Sequence, residues 1–192
     1  IGLQTLDDPV IGAITYQVVN RVMYQNMPIA EQHARLRGLI QHWQPYRAAV
    51  DSTGVGAGLC STLIKVFGAR ITPFVFTGKS KSDLAWSFLA IIDTGRFKDY
   101  AISNEQGYEQ TDDLRRTFLY QCEACQMKVR LGAAKLAAWG VEETIRHPEN
   151  QEALLHDDLL VSAAMCSVFP STVTASWPTP FPQFLERGRG SR

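Results

Sequence analysis

The sequence predicts an α/β domain. Runs rich in β-branched and aromatic residues alternate with runs whose apolar residues recur at a 3.6-residue period. In addition, 45% of the 192 residues are hydrophobic, enough for one sizeable core. Strands that alternate with helices pack as a sheet with helices on its faces, and sites in such sheets lie at the carboxyl ends of strands.

The elements follow in order. Asp7-Asp8-Pro9 reads as a turn, and Val10–Val19 as a strand, with Val22-Met23-Tyr24 able to pair back on it through Asn20-Arg21. Pro28 opens a helix with Ile29, Leu36, Ile40 and Trp43 on one face, and Pro45 stops it. Arg47–Asp51 is a short strand ending in an acid. Ser52–Gly58 is a glycine-rich turn into a helix through Leu59, Leu63 and Phe67, and Ile71–Phe76 is the next strand. Ser80 and Asp83 stand at capping-box-like spacing before a helix that turns Leu84, Phe88 and Ile91 inward and ends at Gly95. Arg96–Tyr100 is a short strand. A helix from about Asp112 to Tyr120 leads to a hairpin with arms Ala124–Leu131 and Lys135–Val141. Glu142–Ala153 is polar and loop-like. The last helix runs from Asp157 to about Phe169. Pro170, Pro178, Pro180 and Pro182 then preclude regular structure, and Arg187–Arg192 reads as a flexible basic tail, so the domain is expected over 1–170 and the tail over 171–192.

Nineteen Lys and Arg balance nineteen Asp and Glu. No global basic field points to nucleic acid, so any such binding must come from a local patch. No apolar run approaches a membrane span, and the first residues, interrupted by Asp7 and Asp8, do not have the pattern of a secretory signal. Cys60, Cys122, Cys125 and Cys166 are therefore expected as reduced thiols in a cytoplasm. Cys122 and Cys125 have zinc-ligand spacing, but no matching second pair follows.

Three motifs carry chemistry. His156-Asp157-Asp158 places adjacent carboxylates at a helix start flanked by apolar residues. Such charges persist beside a core only with a positive partner, and a divalent metal ion is a candidate. The plain alternative is helix capping favoured by the dipole. Hard oxygen donors favour Mg²⁺ or Mn²⁺ over Zn²⁺. Asp51 ends a strand before Ser52-Thr53-Gly54-Val55-Gly56. The Walker pattern is absent, because Leu59 and Cys60 follow Gly58, and the plain reading is a strand–turn–helix connection with Asp51 as cap. Thr77-Gly78-Lys79-Ser80-Lys81 sets two lysines and hydroxyls at a helix start, which suits phosphate contact or a solvated cap.

Taken together, Asp51–Gly56, Pro73–Lys81, Gly95-Arg96-Phe97, the hairpin and His156-Asp157-Asp158 resemble the nuclease domain of the large terminase subunit of tailed bacteriophages, over nearly the whole chain up to Phe169. The resemblance implies a ribonuclease H-like fold, a central mixed sheet flanked by helices with an added hairpin. It implies a metal-dependent endonuclease that cuts concatemeric viral DNA during genome packaging, in the cytoplasm of the infected bacterium. Asp51, Asp157 and Asp158 would bind two Mg²⁺ or Mn²⁺ ions, with His156 contributing to metal or phosphate contact. Lys79, Ser80, Lys81, Lys128, Arg130 and Lys135 would approach the backbone of double-stranded DNA. The implied partners are the terminase ATPase domain, the small terminase subunit and the portal, with no membrane. Two departures stand out. The family has an Asp on its first strand, where Gly2-Leu3 is followed here by Gln4; either Gln4 stands at the acid position, or the acid precedes Ile1, or Asp7 or Asp8 substitutes for it. No ATPase motif is present. A resolvase-like nuclease of the same superfold and an inert DNA-binding or docking domain are the alternative readings.

Overall fold

The computed structural model describes residues 2–100, 109–129 and 135–169, with side chains described from 7 onward and, in the fourth helix, from 113. It is mixed α/β, with five helices and several small sheets. No helix among the described residues is long and apolar enough to cross a membrane. The expected tail, 171–192, lies outside the described residues.

β1 (Gly2–Asp8) runs antiparallel to β2 (Ala13–Asn20), with Thr5 opposite Tyr16. The sequence placed a turn at Asp7–Pro9; the turn falls at 9–12 instead, because Asp8 Oδ1 accepts from the amides of Val10 (2.9 Å) and Ile11 (3.1 Å), and Gly12 takes the left-handed φ of +66° that closes it. The residue pattern alone did not mark β1 as a strand; only the resemblance placed a first strand at Gln4. Nor does Val22–Tyr24 pair back on β2. Arg21 is buried between the rings of Phe118 (4.4 Å) and Tyr100 (5.0 Å) and bonds to Asp99 at 2.8 Å, which draws the chain away from the strand it has just left.

α1 (Ile29–Trp43) follows the expected span, but only Ile40 is buried; Ile29 and Trp43 are exposed. β3 (Ala48–Asp51), α2 (Gly56–Phe67) and β4 (Ile71–Phe74) form one parallel unit, in which Asp51 stands opposite Phe74. Cys60, Leu63, Ile40 and Ile71 make its core. α3 (Gly78–Asp93) buries Leu84, Phe88 and Ile91 as its period predicts, against Phe118, Leu159 and Leu160 in the larger core. β5 (Phe97–Lys98) pairs parallel to β2.

α4 (Glu109–Ala124) outruns the expected helix by about a turn at each end. β6 (Gln126–Val129) and β7 (Ala137–Gly140) are the expected antiparallel hairpin, whose tip, 130–134, lies outside the described residues. The polar stretch expected as loop forms a second small hairpin, β8 (Arg146–His147) with β9 (Asn150–Leu154). Polar contacts to α4 hold it: Tyr120 donates to Glu149 at 3.0 Å, Arg116 pairs with Glu149 at 2.9 Å, and Thr117 Oγ1 lies 3.2 Å from His147 Nε2. α5 (Asp158–Ala164) continues as a tighter turn, Met165–Val168.

Candidate active site

Asp51 ends β3 and is exposed. Its Oδ1 accepts from the Thr53 amide at 2.7 Å, so it shapes its own loop rather than capping α2; the residue at that helix cap is Val55, which has no side-chain bond to give. Gly56 lies so close that an added Cβ would sit 2.7 Å from the Asp51 carbonyl oxygen and 3.5 Å from its Cγ. The loop is stitched to the segment after β4: Ser52 N donates to Phe74 O, and Phe76 N to Thr53 Oγ1, both at 2.8 Å.

That segment enters α3 through a capping box one turn earlier than the sequence spacing suggested. The Ser80 amide donates to Thr77 Oγ1 at 3.0 Å, the Thr77 amide to Ser80 Oγ at 2.8 Å, and the Ser80 hydroxyl to Val75 O at 2.7 Å. Ser80, expected at the DNA, is committed to this cap. Asp83 pairs with the exposed Lys79 instead. Lys81 points elsewhere. Its Nζ lies 3.7 Å from Asp157 Oδ2 and 5.6 Å from the centre of the Trp139 ring. β7 is pinned to the same turn, with Trp139 Nε1 donating to Lys81 O at 2.7 Å and Ala137 N to the buried Ser82 Oγ at 2.8 Å.

Asp157 occupies the N-cap position of α5, Asp158 its first turn, and His156 the exposed residue before them. The two acids part company. Asp157, half-buried, faces Lys81; Asp158 is exposed in the first turn, where the helix dipole favours a negative charge. The positive partner that the adjacent carboxylates demanded is thus present in the chain itself. Gly140, at φ +145°, presses on this corner, and an added Cβ would overlap Asp157 Oδ2. Cys125 shares it: burial raises its thiol pKa, the Asp157 charge adds to the rise, and the Gly140 backbone and Lys81 oppose it.

Contacts therefore run from Asp51 through Thr53 and Phe76 to the first turn of α3, and from Lys81 to Asp157. These contacts link the three motifs in series. Of the other expected residues, Lys128 pairs with Glu142 at 3.1 Å and Lys135 is exposed next to the hairpin tip; Arg130 lies outside the described residues. Trp139, Gly140 and Cys125 were not foreseen as site residues; only the hairpin's placement hinted at the first two.

The carboxylates of Asp51, Asp157 and Asp158 are the hard donors that Mg²⁺ or Mn²⁺ prefers. Their number is the weak point. Among the described residues no three of His, Cys, Asp and Glu gather as one metal-holding group. Asp8 spends one oxygen on its own turn, and Gln4 stands opposite Gln17 in β1. Cys122 and Cys125 are free thiols. Compared with protein-family models, curated proteins and solved structures, the chain finds no match.

Proposed function

We propose that this domain is a metal-dependent endonuclease of double-stranded DNA, of the kind in terminase large subunits, on a ribonuclease H-like sheet. The observations that support the proposal are the hydrogen bonds that tie the Asp51 loop to the segment entering α3, and the approach of Lys81, in the first turn of that helix, to Asp157. β1, β2 and β5 form a three-stranded sheet of mixed direction, antiparallel between β1 and β2 and parallel between β2 and β5, and β3 and β4 form a separate parallel pair.

Asp51 and Asp157, with Asp158 next to Asp157 in sequence, would hold the divalent ion or ions. A bound ion supplies Lewis acidity and lowers the pKa of a coordinated water. The chain's own residues do the rest. Lys81 sets a cation next to Asp157, where it can meet a phosphate oxygen when the backbone arrives. Lys79, Lys128 and Lys135 are exposed and would add a salt-dependent, sequence-independent grip. The terminase ATPase domain, the small subunit and the portal are the partners that this reading names, in the cytoplasm of an infected bacterium.

Plasmid nicking in Mn²⁺ tests the proposal. The wild-type chain nicks, and Asp51→Ala lowers the rate at least ~10²-fold, as loss of a carboxylate that orients the reacting groups requires. Undiminished nicking by the variant, or none by the wild type, counts against it. One observation favours a second reading, an inert DNA-binding or docking domain: no group of three ligating residues exists among the described residues. DNA retained in a gel shift without any cutting would establish that alternative.

A further inference from the structure

We infer that Gln121 is a positioning residue: it caps α5 in place of Asp157 and so leaves the Asp157 carboxylate to face Lys81. Asp is among the preferred N-cap residues, and its side chain ordinarily accepts from the second or third amide of the helix. Asp157 holds the N-cap position of α5 but makes no such bond. The third amide, Leu160 N, donates instead to Gln121 Oε1 at 2.9 Å. Gln121 comes from α4, 39 residues earlier, and is 2% exposed.

A glutamine in a packed core is costly unless it is hydrogen-bonded. An aliphatic side chain would fill the same space without that cost, so the acceptor oxygen is what the position requires. Asp157, relieved of the amide, has φ −99° and ψ 16°, away from the extended backbone of an ordinary N-cap. Its Oδ2 lies 3.7 Å from Lys81 Nζ, against Gly140. Gln121 touches neither DNA nor the reacting groups; it acts through Asp157. The catalytic consequence rests on the endonuclease reading, whereas the exchange of caps does not.

A thermal double-mutant cycle tests the exchange. Asp157→Ala alone leaves Tm within about 1 °C, since no cap is lost. In a Gln121→Met background, where Asp157 is free to turn onto Leu160 N, the same substitution lowers Tm by a further ~2–4 °C. Equal effects in both backgrounds overturn the inference. If Gln121→Met does not fold, amide exchange at Leu160 in Asp157→Ala decides: retained protection supports Gln121 as the cap, and lost protection overturns it. For positioning, Gln121→Met lowers kcat for Mn²⁺-supported nicking about 10-fold at unchanged KM for DNA, and Gln121→Glu, which keeps an acceptor oxygen, recovers most of it. Equal loss in both variants overturns the positioning role. A wild-type chain that does not nick defeats the endonuclease reading and leaves the thermal cycle to judge the cap.

Discussion

Gly140→Ala perturbs the corner where Asp157, Lys81 and Trp139 meet. The new Cβ would lie well inside 3.0 Å of Asp157 Oδ2, with Asp157 Cγ at 3.5 Å and Lys81 Nζ at 3.7 Å. To regain ordinary contact the carboxylate must retreat by about 1 Å, a misplacement that can cost roughly 10²-fold in rate at a reacting centre. The backbone also resists, because φ is +145° at Gly140 and holding a residue with a Cβ in a sparsely populated region costs of order 1–3 kcal/mol. In a domain of this size that corresponds to a fall in Tm of about 2–4 °C per kcal/mol. Gly95→Ala is the control. Its φ of +66° imposes strain, but nothing lies within 4 Å of the added Cβ, so it lowers Tm and spares nicking. Differential scanning calorimetry and Mn²⁺ nicking on the three proteins give the answer. Gly140→Ala with wild-type Tm and wild-type nicking, or the two variants losing activity alike, would refute the reasoning.

Two further outcomes follow from the packing around α4. Arg21→Met removes a fully buried guanidinium and takes from Asp99 its shorter ion pair; breaking such a pair costs about 3–5 kcal/mol, softened here because Arg115 Nε is also 3.6 Å from Asp99, and urea denaturation measures it. Acid weakens the attachment of the β8–β9 hairpin. The Tyr120 hydroxyl, and then Arg116, hold the Glu149 carboxyl below its ordinary 4.5. A depressed carboxylate contributes stability above its unfolded value and loses it as pH falls through the folded one. Tm should therefore drop more steeply below about pH 4.5 in the wild type than in Glu149→Gln, and parallel curves would contradict the assignment.

Where periodicity was strong, the sequence was legible. Leu84, Phe88 and Ile91 all lie inward on α3 because one apolar face has one core to meet. Asp51 at a strand end was equally legible, since a short apolar run followed by a glycine-rich turn has few other solutions. The β8–β9 hairpin was not, because its strands lack apolar alternation and are held by Tyr120, Arg116 and Thr117 from a distant helix. Ser80 with Asp83 had a plausible capping spacing, but Thr77 reached the free amides first. Nothing local marks Arg21 as buried or Gln121 as a cap. Each depends on a partner that only the folded chain supplies: the Phe118 and Tyr100 rings for one, the Leu160 amide for the other.

The series of contacts from Asp51 to Asp157 has a consequence for the order of folding. Much of the chain consists of units that close over short loops: β1 with β2, β3–α2–β4, and the two hairpins of the second half. Such local contacts form quickly and at small entropic cost. The Lys81–Asp157 couple belongs to none of them. It joins the start of α3 to the start of α5, and α3 must dock on both β7 and the turn after α5 before the two charges meet. The series is therefore completed late, after its parts have folded, and a nascent chain released before α5 has emerged holds Asp51 and Lys81 without their third partner.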